Sequence, residues 1–247
     1  METQQQEWFS NWFDSPYYPV LYAHRDEAEA AQFVDSLMEY LRLPGDSIVA
    51  DMACGEGRYA YQLSKYVAKV IGFDLSAARI QKAQEQFAGD RVSFYEHDMR
   101  APMHVNYFDA IFNFFTSFGY FNTYRDHLNA ARSLSNGLKK GGLLVIDYFN
   151  NVYVKNKLVA EEQIIKGNII FDIKRYVSEG KIVKEIVVRD GNAPPLHFEE
   201  RVSDVSVERF KLLFEKAGLQ LENIFGDYRL SSFDREHSPR LIMIFRK

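Results

Sequence analysis

Five residues between positions 51 and 57 have the types and spacing to do chemistry: Asp51, Ala53, Cys54, Gly55 and Gly57, in the run SIVADMACGEGR. A short apolar run that stops at an acid and breaks into a small-residue turn is how a buried parallel strand hands over to a helix. Small side chains let backbone N–H groups approach a ligand, and the positive end of the next helix favours negative charge. A nucleotide-like ligand is the first expectation. No histidine stands near Cys54 in sequence, so it reads as a small residue lining that ligand rather than as a nucleophile.

The turn alone is ambiguous. GEGRYA, residues 55–60, also fits the dinucleotide fingerprint, with Asp74 about twenty residues on, where a ribose-binding acid belongs. That reading makes the chain a nicotinamide-dependent oxidoreductase. Asp51 weighs against it, because a carboxylate ahead of the glycines repels a pyrophosphate and tolerates a cationic, amino-acid-bearing ligand.

The same residues resemble motif I of the class I S-adenosylmethionine-dependent methyltransferases, whose usual form is an acid, any residue, then GxGxG. This chain has DMACGEG, with Ala53 at the first glycine position. The resemblance implies S-adenosyl-L-methionine as cofactor and a small-molecule methyl acceptor. Further strand ends fit it. Asp74 and Leu75 close KVIGFDL, where a carboxylate accepts from both hydroxyls of a ribose. Asp98 and Met99 follow VSFYEH: the acid suits the exocyclic amine of adenine, while the methionine packs on the ring and offers its backbone N–H. Asn113 and Phe115 end FDAIFNFF where the family's fourth motif meets the cofactor, and Ser117 and Tyr120 then face the substrate. The stretch from Tyr22 to Glu29 is similar to that of small-molecule N-methyltransferases, in which Tyr and Arg close over the methionine part. This implies Tyr22 and Arg25 as cofactor contacts, and Tyr17 is placed with the substrate residues. A polar loop at Asp98 and plain core packing at Phe115 are the bland alternatives.

These positions need elements to hold them. A helix over 26–41 is expected, with Asp26 and Glu29 in capping-box spacing and Phe33, Val34, Leu37, Met38 and Leu41 on one face. After the first strand a helix runs to about Tyr66. Ser76 caps the next helix, which buries Ile80, Ala83 and Phe87. Another buries Tyr124, Leu128, Ala131, Leu134 and Leu138, and a KKGG turn at 139–142 precedes the strand LLVIDYF. Five strand–helix units in this order imply an α/β fold with a doubly wound, mostly parallel sheet, and binding at the carboxyl ends of its strands. Two closing strands, at 219–225 and 241–245, bring the count to seven, after a helix capped by Ser206 and stopped by Gly218.

Between 150 and 204 the texture changes to alternation: Ile169, Phe171, Ile173 and Val177, a turn at SEGK, then Ile182, Ile186 and Val188. A further strand fits around 194–202. This is an inserted antiparallel β cap for the substrate, with an interface between copies as the alternative. The expected division is therefore 1–46 as N-terminal lid and helix, 47–149 with 205–247 as the cofactor-binding domain, and 150–204 as the cap. The aromatics Trp8, Phe9, Trp12, Phe13, Tyr17, Tyr18 and Tyr22 must be buried somewhere, as a staple to the body or, in the favoured reading, as a lid over the ligand.

Composition narrows the class. A chain of 247 residues, 47% hydrophobic and 26% charged, builds a sizeable core. Net charge −4 argues against a nucleic-acid or acidic-membrane surface. The single cysteine excludes an intramolecular disulfide and a multi-Cys zinc site, and the six histidines lack metal-type spacing, so no metal is expected. With neither a signal-peptide layout nor a membrane-length apolar run, a cytoplasmic protein is expected; a homodimer is compatible with the sequence. His127, His197 and Tyr120 could act as bases, but none has a motif around it and no catalytic residue is assigned. A non-catalytic cofactor-binding relative is the remaining alternative.

Overall fold

The computed structural model describes residues 8–23 and 27–247. Two short helices, α1 (Trp8–Phe13) and α2 (Tyr17–Leu21), come first, followed by α3 (Glu27–Leu41). The chain then alternates: β1 (Ile48–Met52), α4 (Arg58–Leu63), β2 (Lys69–Asp74), α5 (Ala77–Phe87), β3 (Val92–Glu96), β4 (Phe108–Asn113), a 3₁₀ turn over Ser117–Tyr120, α6 (Tyr124–Gly137) and β5 (Leu138–Phe149). Next are α7 (Asn151–Asn156) and four strands, β6 (Glu161–Lys166), β7 (Ile169–Ser178), β8 (Lys181–Asp190) and β9 (Leu196–Ser203). The end is α8 (Val207–Glu215), β10 (Gln220–Phe225) and β11 (Arg240–Arg246). Among the described residues no helix is long and apolar enough to cross a membrane.

The chain divides into two compact units. The larger comprises Asp26–Val154 and Val205–Lys247. Its seven-stranded sheet has the order β3-β2-β1-β4-β5-β11-β10; β3 to β5 pair in parallel, and β11 runs against both of its neighbours. Strands as apolar as VIGF or LLVI suit a sheet covered on both faces, and Val49, Val70, Ala110, Phe112, Val145 and Ile244 are buried accordingly. Helix α3 lays Phe33, Val34, Leu37 and Met38 into this core. The expected cap Asp26 lies outside the described residues. The caps Ser76 and Ser206 accept from the backbone N–H three residues on, and Gly218 ends the α8 region at φ +83°.

Several elements of this unit differ from the sequence expectation. α4 stops at Leu63 rather than Tyr66. Tyr124 is 58% exposed and takes a hydrogen bond from Lys216 Nζ instead of facing the core; Leu138 is buried, but as the first residue of β5. The KKGG segment is not a free turn. It bulges out of β5 between the pairs Phe108–Leu138 and Ala110–Leu143, with Gly141 at φ +80° and its N–H donating to the Lys247 carbonyl.

The smaller unit comprises Met1–Arg25 and Lys155–Asp204, so α3, grouped above with an N-terminal lid, belongs instead to the larger one. Its sheet has four antiparallel strands in the order β6-β7-β8-β9. The β7–β8 hairpin is as expected, whereas β6 and α7 were not foreseen: Glu161–Lys166 reads EEQIIK and lacks a clean apolar alternation. Val177 is exposed rather than buried, and Val183 is buried where Ile182 was expected. One face of this sheet presents Phe171, Ile173, Ile186 and Val188, and onto it pack Trp12 and Leu21, with Phe13, Tyr17, Tyr18 and Tyr22 around them. Trp12 is fully buried, stands 4.9 Å from Phe198 and donates Nε1–H to Glu200. Trp12, Phe13, Tyr17, Tyr18 and Tyr22 therefore form part of the inserted sheet's own core.

Replacing a buried aromatic by alanine leaves a cavity costing about 3–5 kcal/mol. Trp12→Ala is expected to lower the stability of the smaller unit by that order in urea unfolding, and Trp12→Phe by roughly 1–2 kcal/mol for the lost hydrogen bond and smaller ring. Two variants as stable as the wild type would show that α1 is not part of this core.

Candidate active site

The site begins where β1 ends. Ala53, Gly55 and Gly57 all have left-handed backbones, at φ +62°, +57° and +88°. Cys54 N–H donates to the Phe73 carbonyl and Gly57 N–H to the Cys54 carbonyl, so the turn is tied to the end of β2. A Cβ on Gly57 would lie 2.7 Å from Phe94, and one on Gly55 would lie 3.1 Å from the Arg79 guanidinium. Only glycine leaves this backbone bare and close to its neighbours. Burial pushes the Cys54 thiol well above its ordinary value, which suits a small packing residue. The six residues of α4 make a weaker dipole end than the sequence suggested.

Asp74 closes the turn from the other side. Its Oδ2 accepts from Gly55 N–H at 2.8 Å and its Oδ1 from Ser76 N–H at 2.9 Å. Each carboxylate oxygen retains a lone pair for a further donor, as a ribose diol would supply. Leu75 beside it is 41% exposed.

Asp51, the penultimate residue of the strand run IVADM, is 1% exposed, and its Oδ2 has no hydrogen-bond partner among the described residues. Burial, with the charge of Asp74 second, pushes its carboxyl up to about 8, against a smaller pull from the Ala60 backbone and Arg58. Burial thus draws Asp51 toward its protonated form until a cation stands beside it. An orphaned buried oxygen on a titrating acid is an invitation to a cationic donor.

At the end of β3, Met99 is buried, while Asp98 is already engaged. Both of its oxygens accept from Arg100, with Nη2 at 2.6 Å from Oδ2. Desolvation raises its carboxyl, but Arg100 outweighs that and holds it below the usual range. Any adenine amine would share this carboxylate with Arg100.

At the end of β4, Asn113 is fully buried: Nδ2–H donates to the Met52 carbonyl at 2.8 Å and Oδ1 has no partner among the described residues. Phe115 and Thr116 follow, both left-handed at φ +62° and +67°. Ser117 spends its hydroxyl on the Phe114 carbonyl within the turn, and Tyr120 ends that turn half-buried.

A group that the sequence reading missed sits beside this turn. Asp147 of β5 is completely buried; its Oδ1 accepts from Arg240 Nε and Nη2 at 2.8 and 2.6 Å, and its Oδ2 from Phe115 N–H at 2.9 Å and Tyr228 Oη–H at 3.3 Å. Burial works against the Arg240 charge, but Asp147 and Tyr228 outweigh it and keep the guanidinium ionised. Burial and then the Asp147 charge push the phenols of Tyr59 and Tyr228 up. The sequence held one signal for this group, an acid inside the otherwise apolar LLVIDYF.

Tyr17 and Tyr22 belong to the smaller unit. Tyr17 Oη–H donates to Asp190 at 3.2 Å; Tyr22 Oη–H donates to Glu200 and accepts from Lys184 Nζ, both at 2.6 Å. Arg25 lies outside the described residues. His127 has Nδ1 2.9 Å from the Thr123 carbonyl oxygen, and His197 is exposed on β9.

Comparison with known proteins places this arrangement. Residues 49–142 match the family model described as a methyltransferase domain. A Streptomyces venezuelae protein, dTDP-3-amino-3,4,6-trideoxy-alpha-D-glucopyranose N,N-dimethyltransferase, is 24% identical over 219 residues, covering 85% of this chain and 91% of its own. The crystal structure of an S-adenosylmethionine-dependent methyltransferase from Clostridium acetobutylicum superposes with a TM-score of 0.78 at 18% identity, over 93% of this chain and 95% of the other. CalS10, an amino pentose methyltransferase from Micromonospora echinaspora solved with S-adenosylmethionine bound, gives 0.71 at 18%, over 94% and 97%. Residues 49–142 thus form a methyltransferase domain, and the fold is that of S-adenosylmethionine-dependent methyltransferases. The residues present fit that cofactor: a bare glycine turn, an acid with free lone pairs at the end of β2, and an orphaned buried carboxyl oxygen at the end of β1.

The pH dependence follows with its sign. A cation beside Asp51 binds its ionised form better, so S-adenosylhomocysteine, which keeps the amino group, is expected to bind more tightly as pH rises from 6 toward about 8 and to level off above. Folding runs the other way. The raised carboxyl contributes stability that is full below the unfolded value near 3.8 and is lost as pH rises to about 8. In Asp51→Asn both slopes should flatten. Calorimetry and urea unfolding at several pH values read them out, and an Asp51→Asn protein with wild-type slopes would assign the titration to another group.

Proposed function

We propose that this methyltransferase moves methyl groups from S-adenosylmethionine to the amino group of a small, sugar-type acceptor. The observation that carries the reading is the length of the match to the Streptomyces venezuelae amino-sugar dimethyltransferase, which covers 91% of that protein and so is not confined to the methyltransferase domain that this chain matches over 49–142. Net charge −4 is in keeping with a small molecule rather than a nucleic acid as acceptor.

In the transfer, the amine lone pair forms a bond to the methyl carbon, the carbon–sulfur bond breaks with its electron pair to sulfur, and the new ammonium loses a proton to water. Positive charge moves from sulfur to nitrogen, and little new charge needs stabilising. Positioning and exclusion of water supply most of the effect, up to about 7–11 kcal/mol in well-oriented systems. The chain's own residues serve that task. Asp51 and Asp74 hold the cofactor by its cationic and hydroxyl groups, Met99 and Phe115 wall it with apolar surface, and the turn at Ser117–Tyr120 faces the acceptor. The amine needs only to be neutral when it attacks, so no dedicated base is assigned to His127, His197 or Tyr120.

Incubation of the purified protein with S-adenosylmethionine and a panel of nucleotide-linked amino hexoses and pentoses, read by mass spectrometry, is expected to show at least one acceptor gaining one or two methyl groups. Hydroxyl-only analogues should stay unchanged; methylation of those and not of the amines would overturn the reading. Asp74→Ala is expected to weaken S-adenosylhomocysteine binding by about 1–3 kcal/mol, and calorimetry that finds an unaltered affinity removes Asp74 from the site.

A further inference from the structure

We propose that Asp147 and Arg240 are positioning residues, which lock the Phe115–Thr116 turn into its ligand-holding shape. The proposal rests on the reading of the β4 end as part of the cofactor site. Two consecutive non-glycine residues in the left-handed region, at φ +62° and +67°, are strained, and such strain persists only where the surroundings over-determine it. Here the determination is complete. Asp147 takes the Phe115 N–H on its side chain, at 2.9 Å, and the Thr116 N–H on its main-chain carbonyl, at 2.8 Å. Arg240 grips Asp147 Oδ1 with two nitrogens, reaches Thr116 Oγ1 at 3.2 Å with Nη2, and lies over the Phe115 ring at 5.7 Å. Both backbone donors of the strained pair and both of its side chains are thus held by two residues on two other strands, β5 and β11.

A pair needed only to close the sheet would not have to touch this turn at all, because β11 already pairs with β5 along its whole length, from Arg240–Phe149 to Arg246–Leu143. The turn links Asn113 to the Ser117–Tyr120 segment. Its shape sets where the Phe115 ring, the buried Asn113 oxygen and the acceptor-facing turn stand relative to one another. Without the clamp the free protein relaxes out of the left-handed pair, and ligand binding has to restore it. Strain of one such residue corresponds to about a tenfold change in an equilibrium constant.

The test uses S-adenosylhomocysteine as probe in calorimetry on the full chain, with thermal unfolding alongside. Arg240→Lys keeps the charge and loses the two-pronged grip. Its Kd is expected to rise about tenfold, and Arg240→Lys with Thr116→Gly, which removes the left-handed strain, should recover most of that loss. If Arg240→Lys fails to fold, Asp147→Asn alone and with Thr116→Gly should give the same pattern. Lower thermal stability with unchanged Kd, or a weakened Kd that glycine does not restore, overturns the proposal and leaves the pair a structural one. Asp74→Ala separates the two levels. If it weakens binding while Arg240→Lys does not, only the clamp is wrong; if neither matters, the reading of the site falls and the clamp with it.

Discussion

The chain leaving β1 has to turn through Ala53, Gly55 and Gly57 in left-handed conformations while staying close enough to β2 for Gly55 N–H to reach Asp74. Everything else at the site depends on this constraint. The hydrogen bond fixes the distance between the first and second strand ends, and the missing side chains at 55 and 57 let the turn lie directly against Arg79 and Phe94. A side chain at 57 would meet Phe94 and Ala83, so the same glycine that exposes backbone also seats α4 against β3 and α5. Binding geometry and core packing are one requirement here, and neither can be changed without the other.

The electrostatics follow from burial. Asp51, Asp147 and Arg240 are placed where isolated charges are costly, and the structure resolves the three differently. Asp147 and Arg240 neutralise each other and spend their remaining hydrogen-bonding capacity on the β4 turn. Asp51 Oδ2 has no such partner among the described residues, and burial shifts its carboxyl up to about 8. The carboxyl ends of the strands therefore hold one buried ion pair bonded to the β4 turn and one buried acid with an oxygen unpartnered among the described residues.

Legibility in the sequence followed the physics of each part. The parallel sheet was readable because fully buried strands are continuous apolar runs, and the glycine turn because positive φ selects small residues. The insertion's β7–β8 hairpin was readable from its alternation, but β6 was not, because an edge strand reading EEQIIK satisfies its backbone without an apolar face. Tyr124 misled because helical spacing cannot distinguish a ring in the core from one that caps a lysine on the surface. The N-terminal aromatics were recognisably buried, yet what they bury against is a long-range fact: Trp12 meets Glu200, nearly two hundred residues on. Asp147 and Arg240 were missed for the same reason, since an ion pair that spans 93 residues has no local spacing.

By this proposal the ends of β1, β2 and β3 form one cofactor site built around that turn. A crystal structure of the protein with S-adenosylhomocysteine tests it most directly. The amino group of the ligand is expected within hydrogen-bond reach of Asp51, the ribose hydroxyls on Asp74 and the adenine beside Met99. Ligand density at any other part of the molecule, with these three strand ends untouched, would contradict it.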